Sequence, residues 1–241
     1  MVQLKPDVLL APSGPVALAA KRATQTIPIV FGADDPVGMG LVASLAHPGG
    51  NLTGSAVAVD SQFSAKWVEL LKEAAPRISR VHVLHDPHDL PLRNLPDLQS
   101  AAERLGLKLR VLELGEPHDI DSAFAAMDKE RGDSFIVLAE PFFVGQRSRI
   151  AALATKHRVP VMYAFRVFVE AGGLMSYGPN LLEIWRRYAT YADKIVRGAK
   201  PADLPIEQAT KFDLMVNLKA AKALGITIPD SILLRADEVI R

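Results

Sequence analysis

The chain contains no cysteine. That excludes disulfides, thiolate chemistry and cysteine-ligated zinc. Aromatic residues make up only 6% of it, too few for platforms that stack successive bases. The formal net charge is +1 over 241 residues, so no electrostatic footprint for nucleic acid or a membrane surface exists, and no nucleic-acid partner is expected. No stretch reaches membrane-spanning length without a charge or a proline. The opening residues, Met1 to Asp7, lack an apolar core and do not read as a signal peptide. Gly-x-Ser-x-Gly, the phosphate-binding P-loop and Gly-x-Gly-x-x-Gly after a strand are all missing. No nucleophile–base arrangement replaces them. The expectation is a binding protein with no catalytic residue, no cofactor and no resident metal.

What is present is ample apolar material, 49% of the residues against 23% charged. It is arranged in one recurring unit. Ile29-Val30-Phe31-Gly32-Ala33-Asp34-Asp35-Pro36, Val83-Leu84-His85-Asp86-Pro87 and Ile136-Val137-Leu138-Ala139-Glu140-Pro141 each run an apolar segment into an acid and then a proline. A short continuous apolar run reads as a strand buried on both faces. Proline ends it by pushing the preceding residue out of the α region. Each unit therefore sets a carboxylate at the carboxyl end of a strand, the edge where open α/β sheets bind ligands.

Strand and helix signals alternate along the chain, which predicts βαβ units and an α/β fold with parallel sheets. Strands are expected over 7–11, 27–32, 52–59, 81–85, 108–112, 135–138, 161–163, 174–177 and 214–216. Helices are expected over 13–24, 38–46, 61–75, 95–105, 120–131, 146–157, 166–171, 179–197 and 218–224, with another from about 229. Phe63, Trp67, Leu70, Leu71 and Ala74 share one helical face. Trp67 and Trp185 are both read as core residues. The number of strands suits two lobes, residues 1–59 with 178–241 and residues 60–177, with breaks where the pattern is interrupted.

Several residues could carry chemistry. Ser13-Gly14-Pro15 opens a helix, whose free N–H groups suit an anion; plain capping is the alternative. Asp34, Asp35, Asp86 and Glu140 suit an ammonium group, or serve as caps. Arg166, after Tyr163 and Phe165, is a candidate carboxylate clamp through its bidentate fork, or a solvated loop arginine. His82, His85, Asp86, His88 and Asp89 are the densest set of metal-ligand types. His82 and His85 lie three apart on a strand and so point to opposite faces.

Longer stretches carry a resemblance. They are Ala17-Leu18-Ala19-Ala20-Lys21, Ile27 to Phe31 with Asp35-Pro36-Val37-Gly38, Leu41 to Gly54, Phe165 to Gly178, Gly198 to Pro205 and Lys211 to Pro229. Together, in order and over essentially the whole chain, they resemble the ABC-transporter substrate-binding proteins of the tryptophan and aromatic-amino-acid-like bacterial family. The resemblance implies two hinged Rossmann-like lobes of periplasmic-binding type I, with a small ligand in the cleft between them. It implies ABC permease and ATPase partners and a periplasmic or membrane-anchored extracytoplasmic location. By position it places ligand contacts at Ser13, Gly14, Pro15, Asp34, Asp35, Pro36, His85, Asp86, Glu140, Tyr163 and Arg166, with Ser176 and Tyr177 nearby. Family members usually carry a βαβα segment before the position of Asp7. A first lobe without it exposes apolar edges, and a homodimer through that lobe is expected. Two alternatives stand beside this reading: a metal-dependent hydrolase using the His82–Asp89 region, and the ligand-sensing domain of a regulator.

Overall fold

The computed structural model describes residues 2–57, 61–89, 92, 94–127, 133–208 and 211–241. In chain order the elements are β1 (Leu9–Ala11), α1 (Gly14–Ala23), β2 (Ile29–Ala33), β3 (Leu52–Ala56), α2 (Ser61–Ala74), β4 (Arg80–His85), α3 (Leu95–Arg104) and β5 (Lys108–Glu113). There follow α4 (Pro117–Met127), β6 (Asp133–Val137), α5 (Pro141–Gly145), α6 (Arg147–His157), β7 (Val161–Tyr163), α7 (Arg166–Glu170) and β8 (Met175–Pro179). The chain ends with α8 (Leu181–Val196), β9 (Glu207–Gln208), β10 (Phe212–Asn217), α9 (Leu218–Leu224), α10 (Asp230–Leu233) and β11 (Glu238–Ile240). The expected extensions of β3 to Val59 and of α4 to Arg131 lie outside the described residues.

The chain divides into two compact units, residues 1–59 with 179–211, and residues 60–178 with 212–241. The first carries a parallel sheet in the order β1-β2-β3-β9. Strands β2 and β3 are buried at every position, as a strand covered on both faces must be. One face packs on α1 through Ala11, Ala17, Ile29 and Phe31. The other packs on α8 through Val30, Ile184, Tyr188, Tyr191 and Ile195. The Tyr188 hydroxyl occupies the space a Cβ on Gly32 would need, so only glycine lets α8 settle there.

The second unit carries seven strands in the order β11-β10-β8-β7-β6-β4-β5. One face holds α2 and α3 over Val81, Val83 and Ile136. The other holds α4 and α6 over Leu84, Phe135 and Val137, with Phe124 of α4 against Phe135.

Two expectations are corrected. Residues 212–241 do not return to the first unit: β10 and β11 extend the second unit's sheet, and Asp237 accepts the Leu214 N–H at 2.8 Å to hold them. Residues 38–46 form turns instead of a helix. Asp35 Oδ1 takes the Gly38 N–H at 2.8 Å, the Pro36 carbonyl takes both Leu41 and Val42, and Gly40 adopts φ +68°. A side-chain acceptor and a left-handed glycine together divert the backbone from helical bonding.

Candidate functional site

In the second sheet β4 lies between β5 and β6, the strands that follow it in sequence. The chain leaves β4 toward one side and returns to the other. At such a reversal, outside the carboxyl ends of the strands, open parallel sheets bind their ligands. His85 closes β4, and Glu140 stands just beyond β6 as the N-cap position of α5. Glu140 Oε1 is 2.8 Å from His85 Nδ1, and Oε2 accepts the Asp86 N–H at 2.6 Å. Both side chains are about nine-tenths buried. Burial pushes the Glu140 carboxyl from 4.5 up to about 7, against the opposing pull of its His85 and Asp86 bonds. A nearby Asp89 pushes the same way as burial. Glu140 therefore takes up or gives off its proton near neutrality, and its ionised form lacks a full counter-charge.

Asp86 and Asp35 each close a turn. Asp86 Oδ1 accepts the His88 N–H at 2.9 Å and lies 3.0 Å from His88 Nδ1, closing its own turn. In the first unit Asp35 is half-buried in the turn described above, Asp34 is exposed and Pro36 is buried. Ser13 stands at the N-cap of α1 in an extended conformation, yet its side chain makes no capping bond; Pro15 follows in the first turn and Gly14 is buried.

Two sequence-predicted contacts are differently placed. The Arg166 fork is already engaged, its Nε with Glu170 at 2.7 Å and its NH2 with Glu238 at 2.9 Å. It clamps β11 to α7 and is not presented as a carboxylate receptor. Tyr163 is wholly buried, stacked on Phe168 with ring centroids 4.9 Å apart, and its hydroxyl has no partner. Burial pushes its phenol far up. The strand-end position did not reveal which face its ring takes. Ser176 is buried. Tyr177 is half-buried against Phe63 and Phe212, and its carbonyl accepts the Trp67 indole N–H at 2.6 Å.

The histidine-rich stretch separates as its strand geometry requires. His82 turns to Asp133, 3.4 Å away, where Arg80 also binds at 2.6 Å. His85 turns to Glu140. Among the described residues no group of three or more histidines and acids converges to hold a metal. What the residue pattern could not show was the Glu140–His85 pairing, which joins strands 55 positions apart. The available signal was an imidazole at the end of one predicted strand and a carboxylate just past the end of another.

Comparison with known proteins agrees with this architecture. The family model described as "ABC transporter substrate binding protein" matches residues 1–240. A conserved domain protein from Vibrio cholerae is 33% identical, with a TM-score of 0.87 over 99% of this chain and 80% of that one. An ABC domain from Streptococcus pneumonia, solved in complex with L-Trp, is 26% identical, with a TM-score of 0.83 over 97% of this chain and 81% of that one. A tyrosine-binding protein of Clostridioides difficile is 24% identical over 224 residues, which span 92% of this chain and 64% of that protein. Two mainly parallel sheets in this order, with the family match running over residues 1–240, place the chain in the ABC transporter substrate-binding protein family.

Proposed function

We propose that this chain binds a small amino-acid-like solute for an ABC uptake transporter, with the ligand's ammonium group at Glu140. The carrying observation is Glu140 itself. It is buried at the β4/β6 reversal, held by His85 and the Asp86 N–H, and short of counter-charge when ionised. A ligand cation supplies that charge where the sheet topology expects a ligand. An L-Trp complex and a tyrosine-binding protein among the relatives support the amino-acid class.

His85 and Asp86 position the Glu140 carboxylate, and Ser176 and Tyr177 belong to the same unit's contribution. On the first unit the proposal retains the start of α1, Ser13-Gly14-Pro15, as the anion-accepting group, and Asp34-Asp35-Pro36 as the loop beside it. Arg166 and Tyr163 leave the set, for the reasons given by their contacts. The reading makes the chain a carrier without catalysis, working outside the cytoplasm with a membrane permease and an ATPase. Among the described residues no helix is long and apolar enough to cross a membrane, so in this reading the permease supplies the passage. A second copy of the chain is a further partner through the first unit.

Calorimetric titration with a panel of L-amino acids, their amides and their deaminated acids at pH 8 tests the reading. Binding of amino acids and amides but not of deaminated acids is expected, and Glu140→Gln should weaken it at least tenfold. No heat from any amino acid at millimolar concentration, or undiminished binding by Glu140→Gln, refutes it.

A further inference from the structure

The chain passes between its two units three times, at 59/60, 178/179 and 211/212. On the second unit's side, each crossing has an aromatic residue close by. They are Phe63 near the start of α2, Tyr177 in β8 and Phe212, which opens β10. All three are half-buried, and they come together. The Phe63 ring centroid is 5.3 Å from Tyr177 and 4.9 Å from Phe212, which are themselves 6.0 Å apart. Trp67, one turn further along α2, stands edge-on to Phe63 at 4.9 Å.

The cluster is tied to the backbone at the crossings. Trp67 is 5% exposed, and its indole N–H donates to the Tyr177 carbonyl at 2.6 Å. The other tryptophan, Trp185, is 48% exposed, which overturns the reading of it as a core residue. Gly178, the last residue before the second crossing, lies so close to the Ala164 carbonyl oxygen that no Cβ fits. Past that crossing the Asn180 N–H bonds the Lys211 carbonyl at 3.3 Å, so the second and third crossings run together.

Two bodies joined by three segments that leave one small area can bend and twist only about that area. How stiffly they do so depends on how firmly the segments are fixed where they leave. Aromatic side chains have few torsions and interlock in edge-on and tilted pairs, so they hold their neighbours in register; aliphatic chains fill the same space less specifically. We propose that the Phe63, Trp67, Tyr177 and Phe212 cluster fixes the three crossing segments to the second unit and so sets the stiffness of the joint, leaving bending to the first unit's side of the crossings. The proposal is independent of the ligand reading.

Because the chain has no cysteine, one spin label can be placed in each unit through Lys200→Cys and Glu103→Cys, both exposed positions. Double electron–electron resonance then reads the spread of distances between the labels. Phe63→Leu, which keeps the position apolar and removes the ring, should widen that spread about twofold, and so should Phe212→Leu. Phe124→Leu removes a buried ring on the other face of the second unit's sheet. It should lower the thermal midpoint and leave the spread as in the wild type. An unchanged spread in either Phe63→Leu or Phe212→Leu overturns the proposal. So does equal widening by Phe124→Leu, which would make the stiffness a matter of general stability.

Discussion

Replacing Glu140 by glutamine should change how stability depends on pH, in a calculable direction. Moving a carboxyl pKa from 4.5 to about 7 corresponds to about 3 kcal/mol between the protonated and ionised forms. Below pH 4.5 the carboxyl is protonated in both folded and unfolded chains, and burial exacts nothing. Between pH 4.5 and 7 the unfolded chain ionises first, so the folded state loses stability as pH rises. Above pH 7 the loss is complete. Glutamine resembles the protonated acid and has no such slope. The variant should therefore gain on the wild type by up to about 3 kcal/mol between pH 4.5 and pH 8, or roughly 6–12 °C in thermal midpoint for a chain of this length. The two proteins differ at this one side chain, so the difference between the two curves isolates Glu140. Thermal unfolding followed by circular dichroism at half-unit pH steps measures it. Parallel curves, or a variant that loses ground as pH rises, would refute the account of Glu140 as a buried acid lacking counter-charge.

Other consequences are as direct. If an ammonium binds only ionised Glu140, affinity should rise about tenfold from pH 6 to pH 8, as the ionised fraction climbs from about a tenth to about nine-tenths; calorimetry in buffers of different ionisation enthalpy should show proton release near pH 7. Tyr163→Phe should be neutral or stabilising by about 1 kcal/mol, since the hydroxyl is buried without a partner; a loss above 1 kcal/mol in urea unfolding would reveal a bond it makes. Gly178→Ala should cost more than about 3 kcal/mol, because the new Cβ would overlap the Ala164 carbonyl oxygen. Arg166→Ala should leave ligand affinity within about twofold and cost at most about 1 kcal/mol of stability, as its partners Glu170 and Glu238 are about half exposed.

Much of the architecture was legible because each βα repeat is locally encoded. Apolar runs ended by Asp-Pro or Glu-Pro mark strands, and Asn217 caps α9 where its position before Leu218 predicts, accepting the Ala220 N–H at 3.0 Å. The short helix α5 and strand β11 were harder to see, since four or five residues carry too little periodicity to separate from a loop. Trp185 misled for the opposite reason. Helical spacing records that a face is apolar, and α8 has two apolar arcs, of which only one is covered by its own sheet.

The sequence by itself determined that alternating strands and helices build mainly parallel sheets, that three strands run into an acid and a proline, and that cysteine chemistry is absent. Those properties depend on residues a few positions apart. Which unit takes residues 212–241, which strand-end acid becomes a buried carboxyl with a pKa near 7, and whether the Arg166 fork meets a ligand or two glutamates were decided only by tertiary structure. A strand such as Phe212–Asn217 can extend any open edge, and only the assembled sheet selects one. The shift of Glu140 comes from desolvation by neighbours distant in sequence, and its partner His85 arrives from a different strand.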